Sequence, residues 1–321
     1  MSPLLDVQNL TVDYLVPGRP VRAVDNVSFS IDAGEIVGLA GESGCGKSTA
    51  AHAILGILKP PARITGGRIL FQGRDLVGMD PAELRAFRWR HVSLVFQSAM
   101  NALNPVLSVG DQFVDMMRAH EPLSKREARE RAGELLQLVG IERSRLKSFP
   151  HELSGGMRQR VVIAMALALR PELIIMDEPT TALDVVVQRE ILQEIERLQQ
   201  ELGFAVLFIT HDLSLLVEFS RRIGIMYAAR LVEMAPAAAL FARPEHPYTL
   251  GLMRSFPDVT GERVVISGIP GSPPDLGSPP RGCRFHPRCT RVMERCGVVE
   301  PRLLATAVDR CVACHLYGES A

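Results

Sequence analysis

The 321-residue chain has no net charge, because its 36 Lys and Arg residues balance its 36 Asp and Glu residues. A protein that draws its affinity from nucleic-acid phosphates shows a basic excess, so the balance argues against a nucleic-acid partner. Lysine is scarce, four of the 36 basic residues, a bias that carries no functional content. No run of about 18 apolar residues occurs, so the chain is not expected to span a bilayer, and any membrane association is expected to come through a partner. The start, MSPLLDVQNLTVDY, has no basic n-region and is not read as a signal peptide. Its alternation of apolar and polar residues reads instead as an edge strand. Cysteine is nearly missing from the first 282 residues, where Cys45 stands alone, and the other five fall between Cys283 and Cys314. In a cytosolic protein such a cluster points to metal before disulfides.

What is present is an alternation of short apolar runs with longer helical patterns. Val27–Ile31, Ile36–Ala40, Val92–Phe96, Leu173–Asp177, Ala205–Thr210 and Ile223–Tyr227 read as strands. Continuous runs such as LIIMD suit strands covered on both faces, hence a largely parallel sheet in an α/β fold. Residues 99–170 are helical in character, and Ser124 with Glu127 forms a capping box before a helix closed by Gly140. A second helix, about Val186 to Leu202, stops at Gly203. Six prolines and five glycines between Phe256 and Gly282 read as a linker or wrapped loop before a small cysteine-bearing tail.

The strand Ile36–Ala40 runs into Gly41-Glu42-Ser43-Gly44-Cys45-Gly46-Lys47-Ser48-Thr49 and then a helical pattern, which is G-x-x-x-x-G-K-S in its required context. Such a loop turns backbone N–H groups toward phosphate, at a helix end of partial positive charge. Lys47 is expected to reach the terminal phosphates and Ser48 to hold Mg²⁺. Downstream, LIIMDEPT ends an apolar run with Asp177 and Glu178. Two acids there are costly unless they meet a cation or polarise something. Asp177 suits Mg²⁺, and Glu178 suits activation of an attacking water.

ELSGGMRQRV, from Glu152 to Val161, resembles the signature loop of ABC ATPases. With it stand Gln97 in VFQ, the ALD turn ending at Asp184, and His211 in ITHD. The resemblance covers essentially the whole chain. It implies an ABC ATPase core, a RecA-like mixed sheet with an antiparallel β subdomain, an inserted α-helical subdomain at about 99–160, and a C-terminal extension. The domains are then 1–255 and 256–321. It further implies that Tyr14 stacks on adenine, that Gln97 touches Mg²⁺ and the attacking water, and that His211 contacts the γ-phosphate. Ser154, Gly155, Gly156 and Gln159 would act on ATP held by the opposite subunit, beside the Asp184 turn. Read without the family, Ser154 and its glycines make a simple helix cap, and an isolated His211 would be structural.

Two further segments narrow the branch. FQSAMNALNPVLSVGDQ and the tail motifs HPYTLGLMRSFP, IPGSPPDL and GCRFHPRC resemble the oligopeptide/dipeptide importer ATPases. That resemblance implies ATP-driven uptake of peptides, with nickel, opines or sugars as alternative cargo. It also implies a second ATPase subunit (a paralogue more usually than a copy), two membrane permease subunits, a substrate-binding protein, and a place at the cytoplasmic face of a prokaryotic membrane. A soluble ABC ATPase acting on ribosomes or DNA fits less well: there is one ATPase unit, and only 105 residues separate Ser48 from Ser154, too few for a long coiled coil. Cys283, Cys289, Cys296 and Cys314 match a four-cysteine tail that in this group holds a [4Fe–4S] cluster. Four thiolates also suit zinc, and Cys311, in CVAC, is the rival fourth ligand. HPYT reads only as a helix start after a proline turn.

Overall fold

The computed structural model describes residues 2–96, 102–181, 183–255 and 268–317. Gln97, Ala182 and much of the proline- and glycine-rich stretch lie outside the described residues. The chain forms two compact units. One combines the residues up to Ile31 with Ile36–Gly78 and everything from Phe208 onward, and the other combines Asp32–Glu35 with Met79–Leu207. Residues 268–317, set apart in sequence as a tail, thus share a unit with the N-terminal strands.

In the first unit β1 (Leu5–Val16), β2 (Arg19–Ile31), β4 (Ala62–Phe71) and β5 (Arg74–Asp75) form an antiparallel sheet in the order β2-β1-β4-β5. Strand β1 is therefore interior, paired on both sides, and not the edge strand that its alternation suggested. Alternation reports that one face of a sheet is covered; it does not say whether the strand has one neighbour or two. Leu5, Val7, Leu10 and Val12 form the covered face. The extra residue between Val7 and Leu10 is a register shift, with Asn9 at φ 52°.

A second sheet in this unit starts from β3 (Ile36–Ala40), which pairs in parallel with β9 (Arg222–Tyr227). Strand β10 (Arg230–Pro236) runs antiparallel to β9, β12 (Arg310–Val312) antiparallel to β10, and β11 (Leu304–Ala307) antiparallel to β12. All five residues of β3 are buried, as a strand covered on both faces requires. Helix α1 (Lys47–Ile54) follows β3 and turns Ala50, Ala51, Ala53 and Ile54 into the core. Helices α7 (Leu213–Phe219), α8 (Ala237–Ala242) and α9 (Pro247–Arg254) complete this unit.

The second unit holds α2 (Pro81–Phe87), the parallel pair β6 (Val92–Val95) and β7 (Leu173–Asp177), and the helices α3 (Val109–His120), α4 (Lys125–Leu138), α5 (Gly155–Leu167) and α6 (Val185–Leu202). Strand β8 (Ala205–Ile209) carries the chain back into the first unit. The capping box of α4 forms as read: Ser124 Oγ accepts the Glu127 N–H at 3.2 Å, and Glu127 Oε2 accepts the Ser124 N–H at 2.8 Å. Together the sheets and helices make an α/β fold with a mixed sheet and an antiparallel β sheet.

Candidate functional site

The loop from Gly41 to Gly46 leaves β3 and enters α1 through two places where only glycine fits. A Cβ on Gly41 would stand 2.1 Å from the Met226 carbonyl oxygen, and one on Gly46 2.1 Å from that of Ala23. Both have positive φ, 149° and 105°. Lys47 is 5% exposed and folds back over the loop, donating from Nζ to the Gly41 carbonyl at 2.7 Å and the Glu42 carbonyl at 3.1 Å. Helix α1 begins with no side-chain cap, whereas α2 to α7 and α9 all have one. Its first N–H groups and its positive end are left for an anion. Ser43 and Gly44 are exposed, and Ser48 and Thr49 are half-buried. Burial pushes the Cys45 thiol up despite the nearby Lys47, so it stays neutral and packs as a small apolar group.

Two other expected residues lie in this unit. Tyr14 is half-buried on β1, opposite Val21 and Ala62. His211 is exposed just past β8, where Asp212 caps α7 by accepting the Ser214 N–H at 3.0 Å.

In the second unit Asp177 closes β7 and is 3% exposed. Glu178 follows in the left-handed region at φ 46°, a conformation that costs a non-glycine residue on the order of 1–3 kcal/mol and that clusters at functional positions. The Thr181 hydroxyl donates to Glu178 Oε2 at 3.1 Å, which orients the carboxylate. Ser154 caps α5, accepting the Met157 N–H at 3.2 Å, so the plain helix-cap reading of SGG is realised whatever else the loop does. A Cβ on Gly156 would stand 2.8 Å from Val187 Cγ1. Gln159, which the resemblance groups with the signature residues acting on the opposite subunit's ATP, lies on α5 and is 1% exposed. Asp184 caps α6 through the Val187 N–H at 3.0 Å, leaving Val185 and Val186 at 80% and 69% exposure.

All six cysteines are free thiols. Burial pushes Cys283 up to about 11, and Cys296, Cys314 and Cys289 each push it further in the same direction. Cys314 is raised by burial and then by Cys289 and Cys296, whereas Cys311 is raised by burial and by Glu233, with no other cysteine acting on it. Cys311 sits on β12 opposite Met234. Of the two rivals for a fourth position, Cys314 therefore shares the neighbourhood of Cys283, Cys289 and Cys296. Among the described residues no group of three or more His, Cys, Asp or Glu side chains is arranged to hold a metal ion.

Sequence reading missed the work of HPYT. His246 is 2% exposed and caps α9, its Nδ1 accepting the Tyr248 N–H at 3.0 Å. Burial holds its pKa down to about 3, so the ring stays neutral and keeps that acceptor. Tyr248 then reaches the phosphate loop, its hydroxyl accepting the Glu42 N–H at 2.9 Å. Tyr227, Tyr248 and Phe285 pack together, with ring centroids 4.5 to 5.4 Å apart. Glu42 also receives Arg288, at 2.8 and 3.0 Å. Only the fold brings Glu42 to these partners, since Tyr248 lies 206 positions and Arg288 246 positions further along the chain.

The family model described as ABC transporter matches residues 24–181, and that described as Oligopeptide/dipeptide transporter, C-terminal region matches residues 232–296. The dipeptide transport ATP-binding protein DppD of Bacillus subtilis is 43% identical over 324 residues, covering 100% of this chain and 97% of that protein. The oligopeptide transport ATP-binding protein AppD of the same organism is 44% identical, covering 99% and 98%. Among solved structures, a dimeric bacterial ABC transporter cassette aligns with a TM-score of 0.65 at 31% identity, covering 73% of this chain and 98% of that one.

Proposed function

The chain belongs to the ABC transporter ATPase family, and from that premise we propose that it is the ATP-hydrolysing subunit powering peptide uptake through a membrane importer. The observation that carries the reading is the loop from Gly41 to Lys47, held at Gly41 and Gly46 by backbone contacts that leave no room for a side chain and delivered onto an uncapped helix. Lys47 binds the terminal phosphates. Ser48 and Asp177, hard oxygen donors, would hold Mg²⁺, which would neutralise charge on the phosphates. Glu178 orients and deprotonates the attacking water, with Gln97 and His211 as further contacts to it and to the γ-phosphate, and Tyr14 receives the adenine. Ser154, Gly155 and Gly156 serve the ATP of a second ATPase subunit, more usually a paralogue, and Asp184 lies at the same junction. No described helix is long and apolar enough to cross a membrane, so two permease subunits would supply the channel and a binding protein the cargo. The place of action is the cytoplasmic face of the membrane. Nickel, opines or sugars are the second reading of the cargo.

Lys47→Ala in the intact transporter is expected to abolish binding of a fluorescent ATP analogue and uptake of labelled dipeptide together. Peptide uptake at wild-type rate in that variant would overturn the assignment. Uptake of a metal chelate or sugar, and not peptide, by the wild-type transporter would move the cargo to the second reading.

For the tail, we propose that Cys283, Cys289, Cys296 and Cys314 hold a [4Fe–4S] cluster, with zinc as the alternative. The support is chemical: Cys283, Cys289 and Cys314 are each raised by burial and by neighbouring thiols of the group, a cost that a soft cation removes by taking the thiols as thiolates. Anaerobic purification is expected to yield brown protein with broad visible absorbance. Colourless protein with stoichiometric zinc would establish the alternative.

A further inference from the structure

Glu42 occupies a position of the phosphate loop that phosphate chemistry leaves open, since the pattern demands only the glycines, the lysine and the hydroxyl residue. Yet it is the most tightly held residue of the loop. Arg288 Nη1 donates to its Oε2 at 2.8 Å and Nη2 to its Oε1 at 3.0 Å, a bidentate pair. The Arg288 side chain is 7% exposed. Its Nε donates to the Pro270 carbonyl at 2.8 Å, its Nη1 lies 3.3 Å from the Tyr227 hydroxyl, and its guanidinium sits 5.7 Å over the Tyr227 ring. All three guanidinium nitrogens are therefore engaged. On the backbone side Tyr248 takes the Glu42 N–H. The Glu42 carbonyl receives Lys47 Nζ at 3.1 Å, so the residue clamped from outside also positions the phosphate-binding lysine. Arg288 immediately precedes Cys289.

We propose that Arg288 is a positioning residue for the phosphate loop, through which the cysteine-bearing tail sets the affinity of the site for nucleotide. The inference rests on reading this loop as the ATP site. Holding Glu42 at both its carboxylate and its N–H fixes the loop before ligand arrives, so less ordering remains to oppose binding. Removing the clamp lets the loop and Lys47 relax, which weakens nucleotide binding more than it slows the bound complex.

The test is a double-mutant cycle in the full-length protein, read by the Kd of a fluorescent ATP analogue and by the KM and kcat of hydrolysis. Arg288→Met is expected to raise Kd and KM by about ten- to a hundredfold and to change kcat by no more than about threefold. Arg288→Lys, which keeps the charge and loses the bidentate fork, should fall between. Glu42→Gln should weaken binding similarly, and the double variant should be no worse than the poorer single one. Because Glu42→Gln is nearly isosteric at a half-buried position and keeps an acceptor for Arg288, it keeps the test open if Arg288→Met does not fold. Wild-type Kd in Arg288→Met, or additive effects in the cycle, overturns the proposal. If Lys47→Ala abolishes binding while Arg288→Met and Glu42→Gln both keep a wild-type Kd, this inference alone fails; if Lys47→Ala binds normally, the ATP-site reading fails first.

Discussion

Glu178→Gln is expected to bind ATP with near wild-type affinity and to hydrolyse it about 10²- to 10⁴-fold more slowly, the range that a positioned general base contributes. The substitution is nearly isosteric. Its amide oxygen still accepts the hydrogen bond that the Thr181 hydroxyl gives to Glu178 Oε2 at 3.1 Å. The backbone at φ 46° suits neither residue better than the other. What disappears is the negative charge and the basicity, and nothing that holds phosphate. Steady-state phosphate release and equilibrium binding of a fluorescent ATP analogue separate the two effects. Turnover within tenfold of wild type would remove Glu178 as the base, and loss of binding would make it a ligand-holding residue instead.

The contrast with the Arg288 cycle is instructive, because the two variants should fail in opposite ways. Arg288→Met raises Kd and spares kcat; Glu178→Gln spares Kd and lowers kcat. A chain in which both variants merely melted would lose both parameters together.

Legibility in the sequence followed the range of the interaction. Strand β3, the loop and α1 were readable because a strand, a glycine turn and a helix succeed one another within about twenty residues. The capping box at Ser124 and Glu127, and the buried run of β7, are equally local. The interior position of β1 was not readable, because alternation is the same for a strand with one neighbour or two. Nor was the absorption of the tail. Strand β12 pairs with β10 some 77 residues earlier through only three residues of its own, RCV, too short to carry a period. HPYT failed for the same reason: Tyr248 acts on Glu42, 206 residues away. The pairing of Arg288 with Glu42, 246 residues apart, was hidden for the same reason.

The same unit contains a second buried charge centre, and Glu233→Ala is expected to destabilise it by about 3–5 kcal/mol, the cost of breaking a buried ion pair. Glu233 lies on β10 with 0% exposure. Its Oε1 accepts the Glu245 N–H at 2.9 Å and Arg310 Nη2 at 3.1 Å, and its Oε2 accepts the His246 N–H at 2.9 Å. Arg310, on β12, also donates to the Arg243 carbonyl, and its Nε lies 3.2 Å from the Glu245 carboxylate. One carboxylate therefore fixes the entry to α9 and the strand that brings the tail onto the sheet. A urea denaturation midpoint measures the loss. Replacing the pair as Glu233→Met with Arg310→Met should recover only part of it. An isolated buried pair is often replaced by apolar residues at no net cost, but here the Glu245 and His246 N–H groups would still lose their acceptor. Since α9 carries Tyr248 to Glu42, Glu233→Ala should also weaken nucleotide binding, and Arg288→Met should not change the urea midpoint nearly as much. Glu233→Ala within 1 kcal/mol of wild type would mean that the tail is held by the aromatic packing of Tyr227, Tyr248 and Phe285, with the buried charge contributing little.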